Sequence, residues 1–362
     1  MRVQGIPYRT VWAEGDSVKM INQTLLPHRF EIVELSNHRQ TAEAIRTMIV
    51  RGAGAIGAAA GYAMAQVANE APETSFREYI EAGARTIQET RPTAQNLFYA
   101  VNSVVEAIFG AATTADARKA AKEMAGMIAD ADAAECQAIG EQGAGLIKDG
   151  ARILTHCNAG WLAFVDWGSA LAPIYAAVRG GKSVFVYADE TRPRCQGAML
   201  TAWELQGEGI PHAIIADNAA GFYLRRKEID LVIVGSDRIA ANGDVANKIG
   251  TYEKAVVAKE NGIPFYVAAP ATTIDTACPD GDSIPIEERD ENEVLTITGL
   301  NSSGVIERVR ISHPAARAYN PAFDVTPARY VTGIITGSGT YAPGRLADAI
   351  SSPFFAGTLQ RS

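Results

Sequence analysis

Five short apolar runs in the second half of the chain constrain its fold more than any other feature. "ARILTHC", "SVFVYADE", "HAIIADN", "LVIVGSDRI" and "PFYVAAP" follow one another after Gly150, each separated from the next by a segment long enough for a helix. Strands that are apolar throughout are buried on both faces, and parallel neighbours need long crossover connections. The repetition therefore predicts an α/β fold with a Rossmann-like, doubly wound parallel sheet. Near residue 329, "RYVTGIITGSG" predicts a closing strand and helix.

The first half reads differently. Up to about residue 39, "PYRTVWAEGDSVKMINQTLLPHRFEIVEL" alternates apolar and polar residues around an Ala13-Glu14-Gly15-Asp16 turn, which predicts a small antiparallel sheet. From Thr41 to Lys148 the apolar residues recur at helical spacing, as in "AQNLFYAVNSVVEAIFGA". The expected organisation is an N-terminal β-unit plus helical domain over residues 1–148 and a Rossmann-like catalytic domain over 149–362. At 47% apolar and 20% charged residues, the composition is that of a globular protein. A net charge of −8 without a basic tract argues against a nucleic-acid partner. No window offers about 20 uninterrupted apolar residues, and none resembles a signal peptide, so a cytoplasmic protein with no membrane partner is expected. The cysteines Cys136, Cys157, Cys195 and Cys278 form no CxxC pair and signal neither a zinc site nor a disulfide framework.

Parallel sheets bind ligands beyond the carboxyl ends of their strands. Cys157, in "ILTHCNAGWLAF", stands at or just past a predicted strand end, as do Asp189, Asp217 and Asp237, so all four are candidates for one crevice. Taken singly, such a cysteine is ordinarily an inert buried thiol and such aspartates ordinarily cap helices or turns. "RGAGAIGAAAGYAMA" contains Gly52-x-Gly54-x-x-Gly57, the spacing of a dinucleotide fingerprint, but a helical segment precedes it and another follows, so the required strand is missing. It reads better as a loop where Arg51 and the amides of Gly52 and Ala53 form an anion site, or as close helix packing through small residues. Further candidate anion ligands are Arg91 in "TRPTAQNL", then Arg192, Arg194 and Gln196 in "DETRPRCQGAMLTAWEL". Asn247 and Lys248 join them at a predicted helix start in "VANKIGTY".

In order along the chain, "RGAGAIG", "TRPTAQNL", "THCNAG", "DETRPRCQGAMLTAWEL", "ADNAAG", "GSDRIAANGDVANKIGTY" and "NPAFDVTPARYVTGIITGSG" resemble the methylthioribose-1-phosphate isomerase family. Its relatives are ribose-1,5-bisphosphate isomerase and the regulatory subunits of the eukaryotic initiation-factor exchange factor. The resemblance implies a homodimer without metal or cofactor that isomerises a 5-substituted ribose 1-phosphate to the ribulose 1-phosphate in methionine salvage. It implies Cys157 and Asp237 as the catalytic pair. It also implies Arg51, Gly52, Ala53, Arg91, Gln196, Asn247 and Lys248 as ligands of the small phosphorylated sugar. The alternatives are a ribose-1,5-bisphosphate isomerase and a non-catalytic regulatory subunit, for which a paired thiol and carboxylate would have no use.

The phosphate ester locks the anomeric carbon, so ring opening needs protonation of the ring oxygen, a task for Asp237 as a general acid. Hydrogen must then pass between C2 and C1, as a proton handled by Cys157 or as a hydride, and the sequence leaves both open. The chain departs from the family pattern at Gly54, where a proline is usual and where the loop is expected to loosen. Trp161 and Trp167 likewise stand where smaller residues are usual. Trp161 is expected to lie in the substrate pocket as an apolar cover over the far end of the sugar, or else to pack its helix against the sheet or the amino domain.

Overall fold

The computed structural model describes residues 1–92 and 94–350; Thr93, inside the Arg91 motif, and residues 351–362 of the expected second domain lie outside the described residues. Two short strands, β1 (Arg2–Val3) and β2 (Ile6–Pro7), pair with each other. The expected antiparallel sheet follows as β3 (Val11–Glu14), β4 (Ser17–Ile21) and β5 (Ile32–Leu35), with Glu14 opposite Ser17 across the turn.

Five helices come next: α1 (His38–Arg46), α2 (Ala53–Glu70), α3 (Phe76–Gln88), α4 (Gln95–Phe109) and α5 (Thr114–Ala144). α2 is apolar on every side and therefore lies in the centre of the bundle, buried from Gly54 to Ala68. Small residues let its neighbours close in, with Gly61 against Ala125 of α5. The long α5 then reaches the second half, where Gly140 and Gly143 seat against Ala172 and Pro173.

That half contains β6 (Ala151–Thr155), α6 (Ala172–Arg179), β7 (Val184–Asp189), α7 (Ala202–Gly207), β8 (His212–Ile215), α8 (Ala220–Arg225) and β9 (Leu231–Val234). After it come β10 (Arg238–Ala240), β11 (Val245–Lys248), α9 (Thr251–Glu260), β12 (Phe265–Ala268) and β13 (Ile274–Asp275). β14 (Thr296–Leu300), β15 (Ile306–Arg310), β16 (Phe323–Thr326), β17 (Gly333–Thr336) and β18 (Gly339–Tyr341) complete the strands among the described residues. The large sheet runs β18-β17-β12-β9-β6-β7-β8, parallel except for β18. This is the doubly wound parallel sheet that the apolar runs predict, and β9 is buried at every residue. "RYVTGIITGSG" supplies β17, but the antiparallel edge strand β18 follows where the sequence predicts a helix, because Gly339 turns the chain straight back.

Two smaller assemblies have no counterpart in the sequence reading. One is a four-stranded sheet in the order β13-β10-β11-β16, and the other is the β14-β15 hairpin. No helix among the described residues is long and apolar enough to cross a membrane.

Candidate active site

From β6 the chain winds outward to β7 and β8, then returns to place β9 on the other side of β6. Between β6 and β9 the direction of winding reverses, and a crevice opens there at the carboxyl ends of the strands. Cys157 follows β6 and Asp237 follows β9. Both line a cavity of about 100 Å³, together with Arg51, Gly52, Ala53, Arg91, Gln196, Asn247 and Lys248. A wider cleft of about 560 Å³ shares Gly52, Ala53, Arg91, Asp237 and Phe323 with it.

The Cys157 turn is held from behind. Its backbone is left-handed, at φ +65°, a region that non-glycine residues occupy at a cost. The Cys157 N–H donates to Thr191 Oγ1 at 2.8 Å, and its carbonyl accepts from Thr201 Oγ1 at 2.7 Å. Gly160 is needed for a different reason: a Cβ there would collide with the carboxylate of Glu204. Glu204 accepts from Asn158 Nδ2, the Trp161 and Leu162 amides and the Tyr175 hydroxyl, at 2.7–3.2 Å. Burial pushes its carboxyl up to about 7 against the pull of those four donors.

Gly52 begins α2 at φ +91°, where a Cβ would strike the Ala163 backbone. The close fit brings Arg51 and the free amides at the start of α2 onto the floor of the cavity. Arg91, Arg194 and Arg289 add further positive charge to the walls, with Lys248 on β11. Burial, and repulsion from Arg289 and Arg194, push the Arg91 guanidinium down. Lys248 is buried, donates to the Ala322 carbonyl at 2.7 Å and lies 4.2 Å from the centre of the Phe323 ring. Burial lowers its ammonium to about 8, with Arg289 opposing and Cys157 and Asp237 supporting the charge.

Asp237 faces this cationic wall. Its side chain opens onto the cavity, yet protein crowds it closely, and that poor solvation raises its carboxyl above the ordinary range despite Lys248, Arg51, Arg289 and Arg91. A carboxyl in this position can hold a proton and release it. Gln196 is buried, and its Oε1 has no hydrogen-bond partner among the described residues, which leaves an acceptor for a hydroxyl. The arrangement suits a small phosphorylated polyol.

Several expectations are corrected. Trp161 is not part of the cavity: it is 1% exposed, belongs to the core beneath the sheet and lies 6.0 Å from the Trp203 ring. Its short helix, Trp161–Ala163, lies under the Thr10 hydroxyl and the Gln23 amide, which donate to its carbonyls, so the indole points into the core. Trp167 lies beneath Arg179 in a cation–π contact of 4.3 Å. Gly54 does not loosen a loop, because it sits in the first turn of α2 against Asp132 and Phe164. Asn247 and Lys248 belong to strand β11, with α9 starting only at Thr251.

Asp189 and Asp217 do not line the cavity. Asp189 pairs with His156 Nδ1 at 2.8 Å and Lys254 at 3.5 Å, and Asp217 accepts from the Thr191 and Arg192 amides. Arg192 donates to the carbonyls of Val294 and Thr296 and so anchors the β14 strand. The sequence reading missed Arg289, which sits in the charged run "IPIEERDENE", a composition typical of solvated surface. Its side chain is only 11% exposed and stacks over Phe323 at 5.6 Å.

Residues 49–343 match the initiation factor 2 subunit family. A methylthioribose-1-phosphate isomerase from Methylocella silvestris is 49% identical over 98% of both chains. The crystal structure of 5-methylthioribose 1-phosphate isomerase from Pyrococcus horikoshii OT3 superposes with a TM-score of 0.86 at 42% identity, covering 95% of this chain and 96% of that one. A structure described as translation initiation factor eIF-2B, subunit delta, from A. fulgidus superposes with a TM-score of 0.83 at 38% identity, covering 95% and 98%. The chain belongs to the initiation factor 2 subunit family and, within it, to the methylthioribose-1-phosphate isomerases.

Proposed function

We propose that the protein is an aldose–ketose isomerase that converts 5-methylthioribose 1-phosphate to 5-methylthioribulose 1-phosphate in methionine salvage. The observation that carries this reading is the pairing of Cys157 with Asp237 at neighbouring strand ends in one cation-lined cavity. Arg51, the Gly52 and Ala53 amides, Arg91 and Lys248 hold the phosphate, while Gln196 and Asn247 face sugar hydroxyls. Asp237 protonates the ring oxygen and C1–O cleavage opens the ring; Cys157 takes the C2 proton to leave an enediol, and as Cys157 returns that proton to C1 the C2 hydroxyl gives its own proton back to Asp237, which forms the ketone and restores both groups. A substrate deuterated at C2 tests that step: any loss of label to solvent supports the enediol, and retention that stays complete even when turnover is slowed enough for the thiol to exchange its hydrogen many times overturns it. The same reading carries a cytoplasmic homodimer with neither a cofactor nor a nucleic-acid partner. Sizing at micromolar concentration checks the dimer.

A regulatory subunit of the kind named for the A. fulgidus relative would have no use for the thiol and carboxylate. With Trp161 in the core, rejection of a 5-phosphate no longer rests on an indole. Incubation with methylthioribose, 5-deoxyribose and ribose 5-phosphate 1-phosphates, followed by NMR, tests the choice. Turnover of the bisphosphate alone would overturn the proposal.

Lys248→Ala is expected to weaken inhibition by inorganic phosphate by roughly 1.5–3 kcal/mol, the range of a desolvated charged contact. The wild-type affinity should also fall as pH rises through about 8, where Lys248 loses its proton. Phosphate is largely dianionic at that pH, and comparison with Lys248→Ala isolates the lysine's share of the decline. Inhibition constants measured from pH 7 to 9.5 check both points, and the alkaline decline should vanish in the variant.

A further inference from the structure

We propose that Asn158 is a positioning residue that aims the Arg51 guanidinium at the phosphate. This rests on the phosphate-binding reading of Arg51. Asn158 is 2% exposed, and both hydrogens of its Nδ2 are spent, on Thr201 Oγ1 at 3.2 Å and Glu204 Oε1 at 2.8 Å. Two acceptors behind the amide leave it one orientation, with Oδ1 turned forward. There it accepts from Arg51 Nη1 at 2.6 Å, while the Asn158 main-chain carbonyl accepts from Nη2 at 2.8 Å. One residue thus grips both terminal nitrogens of the guanidinium, which is planar, so its rotation is fixed as well as its position. Among the described residues Nε–H and one hydrogen on each Nη have no further partner, which leaves them to the ligand.

The grip is itself rigid. Glu204 holds the Trp161 and Leu162 amides and the Tyr175 hydroxyl as well as Asn158, so the carboxamide cannot turn without abandoning a buried carboxylate. Thr201, its other anchor, also holds the Cys157 carbonyl. The thiol and the phosphate-binding arginine therefore share one support, the helical segment that follows Gln196. The amide in the Cys157-Asn158-Ala159-Gly160 turn is thus assigned a task distinct from that of the thiol beside it.

A double-mutant cycle with Arg51 tests the assignment, with inorganic phosphate as the probe. Asn158→Ala should raise the phosphate inhibition constant and KM by about tenfold and lower kcat by a smaller factor, within the range of coupling through shared hydrogen bonds. In an Arg51→Ala background the same change should raise the inhibition constant by less than about twofold. A purely structural loss would lower the melting temperature and add in full to the Arg51→Ala effect, and full additivity overturns the proposal. So does an unchanged inhibition constant for Asn158→Ala alone. If Arg51→Ala itself leaves phosphate inhibition intact, the phosphate reading of Arg51 fails first, which is a separate result. Should Asn158→Ala fail to fold, Asn158→Gln, which displaces the amide by one methylene, carries the same cycle.

Discussion

Replacing Cys157 by serine or Asp237 by asparagine is expected to leave a folded protein that still binds phosphate, while turnover falls by about a thousandfold or more. The expectation follows from where the two groups stand. Neither belongs to the main hydrophobic cores, and the Cys157 turn is held through its backbone by Thr191 and Thr201, contacts that a serine would keep. The Asp237→Asn amide would keep the shape of the carboxylate but have no acid proton to give to the ring oxygen. The raised carboxyl of Asp237 adds a pH signature: its acid form is present below its pKa in the folded protein and is lost as pH rises through it. Activity limited by ring opening should therefore decline on the alkaline side in wild type, and residual activity in Asp237→Asn should lack that limb. Rates at saturating substrate, set beside phosphate inhibition constants, separate chemistry from binding. Near-normal turnover in either variant would remove that residue from the reaction.

The parallel sheet was legible because its strands are buried on both faces, so that a run such as Leu231–Val234 carries no polar residue. The second sheet was hidden for the opposite reason. β10 and β11 are short, and the buried Asn247 and Lys248 interrupt their apolar pattern, so that the segment imitates a loop and a helix start. The candidate site was legible where motifs carry it, and less so where a residue works through distant partners. Glu204 reads as the exposed side of an apolar helix, yet four donors from residues 29 to 46 positions away converge on it. His156 and Asp189, 33 positions apart, pair only because β6 and β7 are neighbours. No local periodicity encodes such pairings.

Trp161 shows the same limit from the other side. Its place next to the Cys157 turn suggested contact with substrate, but a short helix can turn a side chain either way, and partners elsewhere decide the matter. Here Phe30 stacks on Trp203 at 6.1 Å and Trp203 meets Trp161 at 6.0 Å, an aromatic chain that ties the N-terminal segment to the sheet domain. Trp161→Ala is accordingly expected to destabilise the protein by about 3–5 kcal/mol, the usual cost of truncating a fully buried large aromatic. Denaturant midpoints measure this loss. In protein that remains folded, the ratio of catalytic efficiencies on 5-methylthioribose 1-phosphate and ribose 1,5-bisphosphate should not change, because the indole touches neither the cavity nor its mouth. A shifted ratio with unimpaired stability would return Trp161 to the substrate wall.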